Sequence, residues 1–148
     1  MFGIFKVVRD AIRIEKAFTA AAQNRNEDAL KTLESLGEKA EKLYEARLLK
    51  GALYSLLDMH ELAIEELVSA AQTIKADKRF SSAEANYLVA YAIQYWEHSA
   101  DQIGMSKVSK SVADALHVEG PIVLSRVSAH LRRKFPLRAK FSGIEIVE

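Results

Sequence analysis

Three tyrosines are concentrated in residues 86–98, NYLVAYAIQYWEH, the most chemically distinctive stretch of the chain. Tyr87, Tyr91 and Tyr95 follow one another at intervals of four, which places them on one face of a helix. Hydroxyls grouped beside the amides and the histidine of this stretch would suit a small-molecule pocket. A small-ligand sensor is therefore one alternative function. The same spacing also suits aromatic rings packed in a helical core.

No residue pattern typical of an enzyme or a metal site accompanies the tyrosines. The four histidines have no partner histidine four residues away and none is in an HExxH pattern: His60, His98, His117 and His130. The chain has no cysteine, and it lacks GxSxG, phosphate-binding glycine and EF-hand patterns. Acids such as Glu65 and Glu66 are adjacent, so they diverge on a helix. We predict no catalytic residues, no metal site and no cofactor. His60, beside a turn, is expected to face solvent.

Basic residues are grouped near the C-terminal end, around Phe135 and Phe141. They are His130, Arg132, Arg133, Lys134, Arg138 and Lys140. Such a patch is required for nucleic-acid binding, and a nucleic-acid-binding regulator is the second alternative function. The net charge of only +1 argues against it. Cations at a helix C-terminus are also favoured by the helix dipole alone.

The composition is that of a globular protein. With 148 residues, of which 49% are hydrophobic, the chain is long enough for one domain with a substantial core. The absence of cysteine fits a reducing compartment, so we expect a cytoplasmic location. No run is long enough to span a membrane. Both ends of the chain, positions 1–25 and 119–148, are net basic, whereas the middle, positions 26–75, is net acidic.

The N-terminal stretch, residues 1–18, has the pattern of a basic amphipathic helix. Apolar residues form a wide stripe, and Lys6, Arg9, Asp10, Arg13 and Lys16 occupy the other side. Five charges argue against a secretory signal. A basic amphipathic helix can lie on a membrane, but we expect this one to pack on the rest of the fold.

The centre of the chain, residues 47–71, has the pattern of a helical hairpin. Asp58, with Glu61 three residues later, is typical of a helix start, and it predicts one helix to about residue 57 and another from about residue 59. Gly51 and Ala63 leave room for the two helices to approach closely.

This hairpin resembles the tetratricopeptide repeat. That family places a small residue and then an aromatic on its first helix, and Ala, a bulky residue and Ala on its second; here these are Gly51, Tyr54, Ala63, Leu67 and Ala70. The family repeat is about 34 residues long. One repeat earlier, the corresponding positions hold Ala17, Ala20, Ala29, Leu33 and Leu36. A third, degenerate unit follows, so the resemblance covers about residues 14–96.

The resemblance implies an all-α fold of stacked antiparallel hairpins in a right-handed superhelix, with extra C-terminal helices, in a single domain of residues 1–148. It also implies a groove lined by the first helix of each hairpin. The positions that correspond are Ile14, Phe18, Glu45, Leu48, Ala52, Ser55, Ser82, Asn86 and Val89. The implied function is a non-enzymatic adaptor or scaffold that binds a protein or peptide. The basic clamp for a C-terminal carboxylate known in this family is missing here. Repeat phasing favours a core position for Tyr87 and Tyr91.

Local signals predict the remaining helices. Residues 38–57 are expected to form one helix. Ser81 and Glu84 form a capping box before a helix over residues 82–102. A short helix over residues 107–117, with Val108 inward, and a last helix from Pro121 to Phe135 complete the set.

The extended tail, residues 136–148, is unusually apolar for a chain end. Ile144, Ile146 and Val147 alternate with polar residues, and chain ends are normally polar unless they are anchored. We expect the tail to lie on an apolar surface, either in the groove of its own chain or on a second copy. A homodimer is therefore one of the two expected arrangements.

Overall fold

The computed structural model describes residues 2–138 and 143–148, and they are mostly helical, as predicted. The seven α-helices of the described residues are α1 (Phe2–Ala22), α2 (Asn26–Glu34), α3 (Tyr44–Leu56), α4 (His60–Ala76), α5 (Ser82–Gln102), α6 (Lys110–Ala115) and α7 (Ala129–Lys134). Short 3-10 helices cover Ala40–Lys42 and Leu124–Arg126. Two short strands, β1 (Ile122–Val123) and β2 (Ile146–Val147), pair with each other.

The first four helices form two hairpins whose turns have the same geometry. Asn24 and Asp58, which occupy equivalent positions one repeat apart, both have a positive φ, 60° and 61°. In each turn the amide of the next residue donates to the carbonyl five residues back, at 2.9 Å after Asn24 and 2.8 Å after Asp58. This hydrogen bond is typical of a left-handed helix end. The predicted capping role of Asp58 is therefore wrong: it ends α3, and α4 begins without a side-chain cap.

Small residues let the helices of each hairpin pack closely. Ala17, Ala29 and Ala63 have no exposed surface. A Cβ atom built on Gly51 would lie 2.5 Å from Leu67 Cδ2, and its three nearest neighbours all belong to Leu67. Gly51 thus makes room for Leu67, whereas the sequence suggested a contact with Ala63.

Helix α5 has the predicted bounds and closes the core against α3 and α4. The capping box of Ser81 and Glu84 is formed, with both hydrogen bonds present. A hydrogen-bonded chain ties α5 to α3: Ser99 Oγ donates to Ser55 Oγ (2.8 Å), and Ser55 Oγ donates to Tyr95 O (3.1 Å). These bonds satisfy two hydroxyls that have no exposed surface.

Three helix boundaries differ from the prediction. The helix expected over residues 38–57 is interrupted at Leu43, whose backbone is extended (φ −65°, ψ 142°). The short helix α6 is limited to Lys110–Ala115, and Val108 is 44% exposed instead of inward. The last helix begins after Ser128, whose side chain accepts from the Leu131 amide. Residues 122–123, expected in that helix, form a strand instead.

The end of the tail docks on its own chain. β2 pairs in parallel with β1, so that Ile122 lies opposite Ile146 and Val123 opposite Val147. Ile144 and Ile146 are half-buried against the core. Of the two expected surfaces, own chain or second copy, the end of the tail therefore lies on its own chain, where it pairs with a strand.

Candidate functional site

The predicted groove positions lie on α1, α3 and α5, and most of them are covered. Ile14, Leu48, Ala52, Ser55 and Val89 are buried; Phe18, Glu45 and Asn86 are half-buried; and Ser82 is exposed. Ser55 hydrogen-bonds within the core, between α3 and α5. Three groove positions contact the C-terminal part of the chain. Phe18 packs on Phe135, Glu45 accepts from Lys134, and the Asn86 side chain donates to Glu119 O.

A segment of the same chain lies across these helices. We call Lys134–Arg138, sequence KFPLR, the groove segment. Its Phe135 has no exposed surface. The ring centroid of Phe135 is 5.4 Å from that of Phe18, 5.1 Å from that of Tyr91 and 6.2 Å from that of Tyr44. The Phe18 and Tyr91 contacts are edge-to-face, the geometry that aromatic pairs prefer. One helix from each predicted repeat unit thus contributes a ring to this aromatic pocket.

Lys134, next to that phenylalanine, is held by two carboxylates. Its Nζ donates to Glu15 Oε1 (2.5 Å) and to Glu45 Oε2 (2.7 Å), and it lies 4.5 Å from the Phe18 ring centroid. The Lys134 side chain is only 8% exposed. Burial lowers the pKa of Lys134, but the hydrogen bonds and charges of Glu15 and Glu45 outweigh it, so that its pKa is raised. The lysine is therefore charged when it occupies this position.

Side chains of α5 bind the main chain of the groove segment. Tyr87 Oη donates to Phe135 O (2.6 Å), and Gln94 Nε2 donates to Pro136 O (3.0 Å). The Arg138 amide donates back to Gln94 Oε1 (3.0 Å). An extended chain presents a carbonyl and the amide two residues later toward the same side, and the Gln94 amide pairs with both. This is recognition of backbone, independent of side-chain identity.

The tyrosine cluster forms the floor of this site. Tyr87 and Tyr91 are buried, as the core interpretation predicted. Burial raises the pKa of Tyr91 well above its usual value, and it also raises the pKa of Tyr44 to about 12. Both phenols are therefore neutral near pH 7. Tyr95 lies under Arg138, whose guanidinium carbon is 6.0 Å from the ring centroid.

An open cavity of about 440 Å³ remains beside the groove segment. Phe18, Ala52 and Tyr95 line it, together with His130 and Arg133 of α7 and Lys134 and Pro136 of the groove segment. Part of the groove beside the segment is thus open.

The structure separates the residues of the predicted basic patch. Lys134 turns inward, as described above. His130, Arg132, Arg133 and Arg138 are exposed. Lys140 and Phe141 lie outside the described residues. Sequence reasoning missed the inward role of Lys134 and Phe135. It placed Gln94 beside the tyrosine cluster but missed that its amide binds main chain. The one local signal was an aromatic residue directly before Pro136, which fixes the chain in a non-helical path.

His60 is half-buried, and the expectation that it faces solvent is wrong. Its Nδ1 lies 2.8 Å from Ser99 Oγ, and its Nε2 lies 3.5 Å from Asp58 Oδ1. Asp, His and Ser are the residues of a hydrolytic triad, but the two ring nitrogens are exchanged here, since in such a triad Nε2 faces the serine and Nδ1 the aspartate. Ser99 also has no exposed surface, so no substrate can reach its hydroxyl, and these contacts fix the turn to α5. Within the part of the chain that the structure describes, no three potential metal ligands are grouped.

Comparisons of the chain with protein-family models, with curated proteins and with solved structures yield no match. Among residues 2–138 and 143–148, no helix has both the length and the apolar character needed to cross a bilayer.

Proposed function

We propose that the protein is a non-enzymatic peptide-binding module, and that the groove segment occupies the position of its ligand. The observation that carries this proposal is the way Gln94 and Tyr87 hold main-chain atoms of residues 135–138. Hydrogen bonds to main-chain atoms supply affinity for any extended chain, while pockets for particular side chains supply specificity. Both components are present here.

We further propose that the two hairpins are tetratricopeptide-like repeats. Support comes from the left-handed turns at Asn24 and Asp58, which are separated by one repeat length. Support also comes from burial at equivalent positions, since Ala29 and Ala63 are fully buried, as is Leu67, and Leu33 is 1% exposed. Stacked helical repeats commonly bind partners on a curved surface.

The contacts of the groove segment define the ligand chemistry that we expect. The pocket between Phe18 and Tyr91 accepts an aromatic ring, and the carboxylates of Glu15 and Glu45 require a cation one residue before it. A partner would therefore present a lysine or arginine followed by an aromatic residue, with a non-helical stretch after the cation. Arginine would also suit the two carboxylates, because its planar fork donates several hydrogen bonds.

The test supplies the groove segment as a separate peptide. A fluorescein-labelled peptide of residues 128–138 is titrated against the full chain and against full-length Phe135→Ala, with anisotropy as the readout. We expect the variant to bind the peptide, because its own segment has lost the ring that fills the pocket. The unmodified chain should bind roughly 100-fold more weakly, as should a peptide with alanine in place of the phenylalanine.

Two further variants keep the test decisive. Lys134→Glu retains Phe135 and places a third carboxylate beside Glu15 and Glu45, so it should also release the segment and bind the peptide. Leu67→Ala destabilises the core between α3 and α4 without touching the groove segment, and it should not gain binding. If Phe135→Ala and Lys134→Glu both keep a native circular dichroism spectrum and neither binds, the groove is not a peptide site.

A further inference from the structure

The first half of α1 carries an apolar face that nothing in the described fold covers. Ile4 is 68% exposed, Phe5 70%, Val8 52% and Ile12 50%. Ile4, Val8 and Ile12 follow one another at intervals of four, with Phe5 beside them, so the four side chains share one side of the helix. We call them the N-terminal apolar face.

This face points away from the core. The buried side chains of α1 are Asp10, Ile14, Ala17 and Ala20, which lie on the other side of the helix. Burial of described side chains in α1 begins only at Asp10. In the first two turns the contact with the fold is made by the opposite side of the helix, where Lys6 lies beside Gly37. Four large apolar side chains grouped in this way are more than the single exposed residues that normal surfaces carry.

Cations border the N-terminal apolar face. Arg9 follows Phe5 by four residues and Lys16 follows Ile12 by four, so each of these two exposed cations adjoins an apolar side chain. Lys6 lies on the other side of the helix, beside Gly37. The acids of α1 do not offset them: Asp10 is buried, and the Glu15 carboxylate accepts a hydrogen bond from Lys134. The exposed surface of this helix is therefore apolar and positive.

We propose that the N-terminal apolar face binds the surface of an anionic lipid bilayer, with α1 lying in the interface. An amphipathic helix with Phe and aliphatic residues on one side and Lys or Arg at its border is suited to that position. Charge complementarity favours a bilayer over a second copy of this chain, because two such faces packed together would bring the Arg9 and Lys16 cations of both copies near one another. Anionic headgroups instead attract each of these cations.

The test is co-sedimentation of the full chain with vesicles. We expect binding to vesicles in which about a third of the phosphatidylcholine is replaced by phosphatidylglycerol, much weaker binding to phosphatidylcholine alone, and loss of binding as salt increases. Ile4→Ser combined with Val8→Ser should reduce the partition coefficient by at least about tenfold. Arg9→Gln and Lys16→Gln should each reduce it by about fivefold on the anionic vesicles.

A matched control changes exposed leucines elsewhere. Leu56 is 45% exposed and Leu62 is 44% exposed, and both lie near the α3–α4 turn. Leu56→Ser combined with Leu62→Ser should therefore bind vesicles as the unmodified chain does. Binding that is absent, or equal on neutral and anionic vesicles, would overturn the proposal. It would also be overturned if light scattering gave a dimer mass that Ile4→Ser with Val8→Ser reduced to that of a monomer.

Discussion

Replacing Gly51 by alanine would put a methyl group where the Leu67 side chain already lies. The added Cβ would be 2.5 Å from Leu67 Cδ2 and 2.6 Å from Leu67 Cγ, and Leu67 has no exposed surface toward which it could move. Overpacking of this kind costs about 1–3 kcal/mol. Alanine is better than glycine in a helix interior by about 1 kcal/mol. The expected net loss in the free energy of unfolding is therefore about 0–2 kcal/mol.

Two comparisons isolate the packing cost of Gly51→Ala from the helix propensity gain. A Cβ on Gly3, in α1, would meet no atom within 4 Å, so Gly3→Ala should be neutral or stabilising. In a Leu67→Ala background the clash is gone, and Gly51→Ala should then stabilise. Urea unfolding of the four forms of this double-mutant cycle should give a coupling energy of about 1–3 kcal/mol. If Gly51→Ala stabilises the unmodified chain as much as the Leu67→Ala chain, the close approach of α3 and α4 is wrong.

Three further predictions concern the charge of Lys134, the hydrogen bonds between Ser99 and Ser55, and the turn at Asp58. The pKa of Lys134 is raised in the folded chain. The stability from its ion pairs is therefore present below the usual lysine range and is lost as pH rises through the raised value. The difference in melting temperature between the unmodified chain and Lys134→Met should accordingly shrink at alkaline pH. A difference that stays constant would contradict the ion pairs. Ser99→Ala should cost about 1–3 kcal/mol in urea unfolding, because Ser55 Oγ loses the hydroxyl that donates to it and His60 Nδ1 loses its partner. Ser125→Ala on the surface should cost almost nothing. Asp58→Val should cost about 1–2 kcal/mol, because φ is 61° at this position and valine is strained there, whereas Asp58→Gly should be neutral or stabilising; equal stability of the two would contradict the left-handed turn.

Features coded by neighbouring residues were predictable from the sequence. The capping box of Ser81 and Glu84 gave α5 its bounds, because both hydrogen bonds form within three residues. The spacing of small residues predicts that α3 packs closely against α4 in a hairpin. The alternation of Ile144 and Ile146 with polar residues predicts an extended tail that is anchored on an apolar surface, because chain ends are rarely apolar and exposed.

Features decided by distant contacts were not predictable in the same way. Leu43 has no helix-breaking character, yet the chain is extended there, where Tyr44 packs against Phe80 at 4.9 Å between ring centroids. Pro121 has the usual signal of a helix start, but pairing with β2, at the far end of the chain, makes the next residues a strand. The sequence around Lys134 and Phe135 predicts a basic surface patch. The partners that turn these two residues inward, Glu15, Phe18 and Glu45, are far away in sequence, so the neighbouring residues do not predict that position.

Pairing of β1 with β2 has a consequence for any competing partner. The two strands flank the groove segment in the chain, so they hold both of its ends near the fold. A ligand joined to its site by a short connection has an effective concentration of the order of millimolar. If the same peptide bound alone with a Kd of about 1 μM, attachment would keep the groove about 99.9% filled, equivalent to about 4 kcal/mol. A free peptide would then need millimolar concentrations to compete. If the groove is a peptide site, as proposed, the partners able to open it would be those that first bind elsewhere on the protein and so present their own peptide at a comparable local concentration.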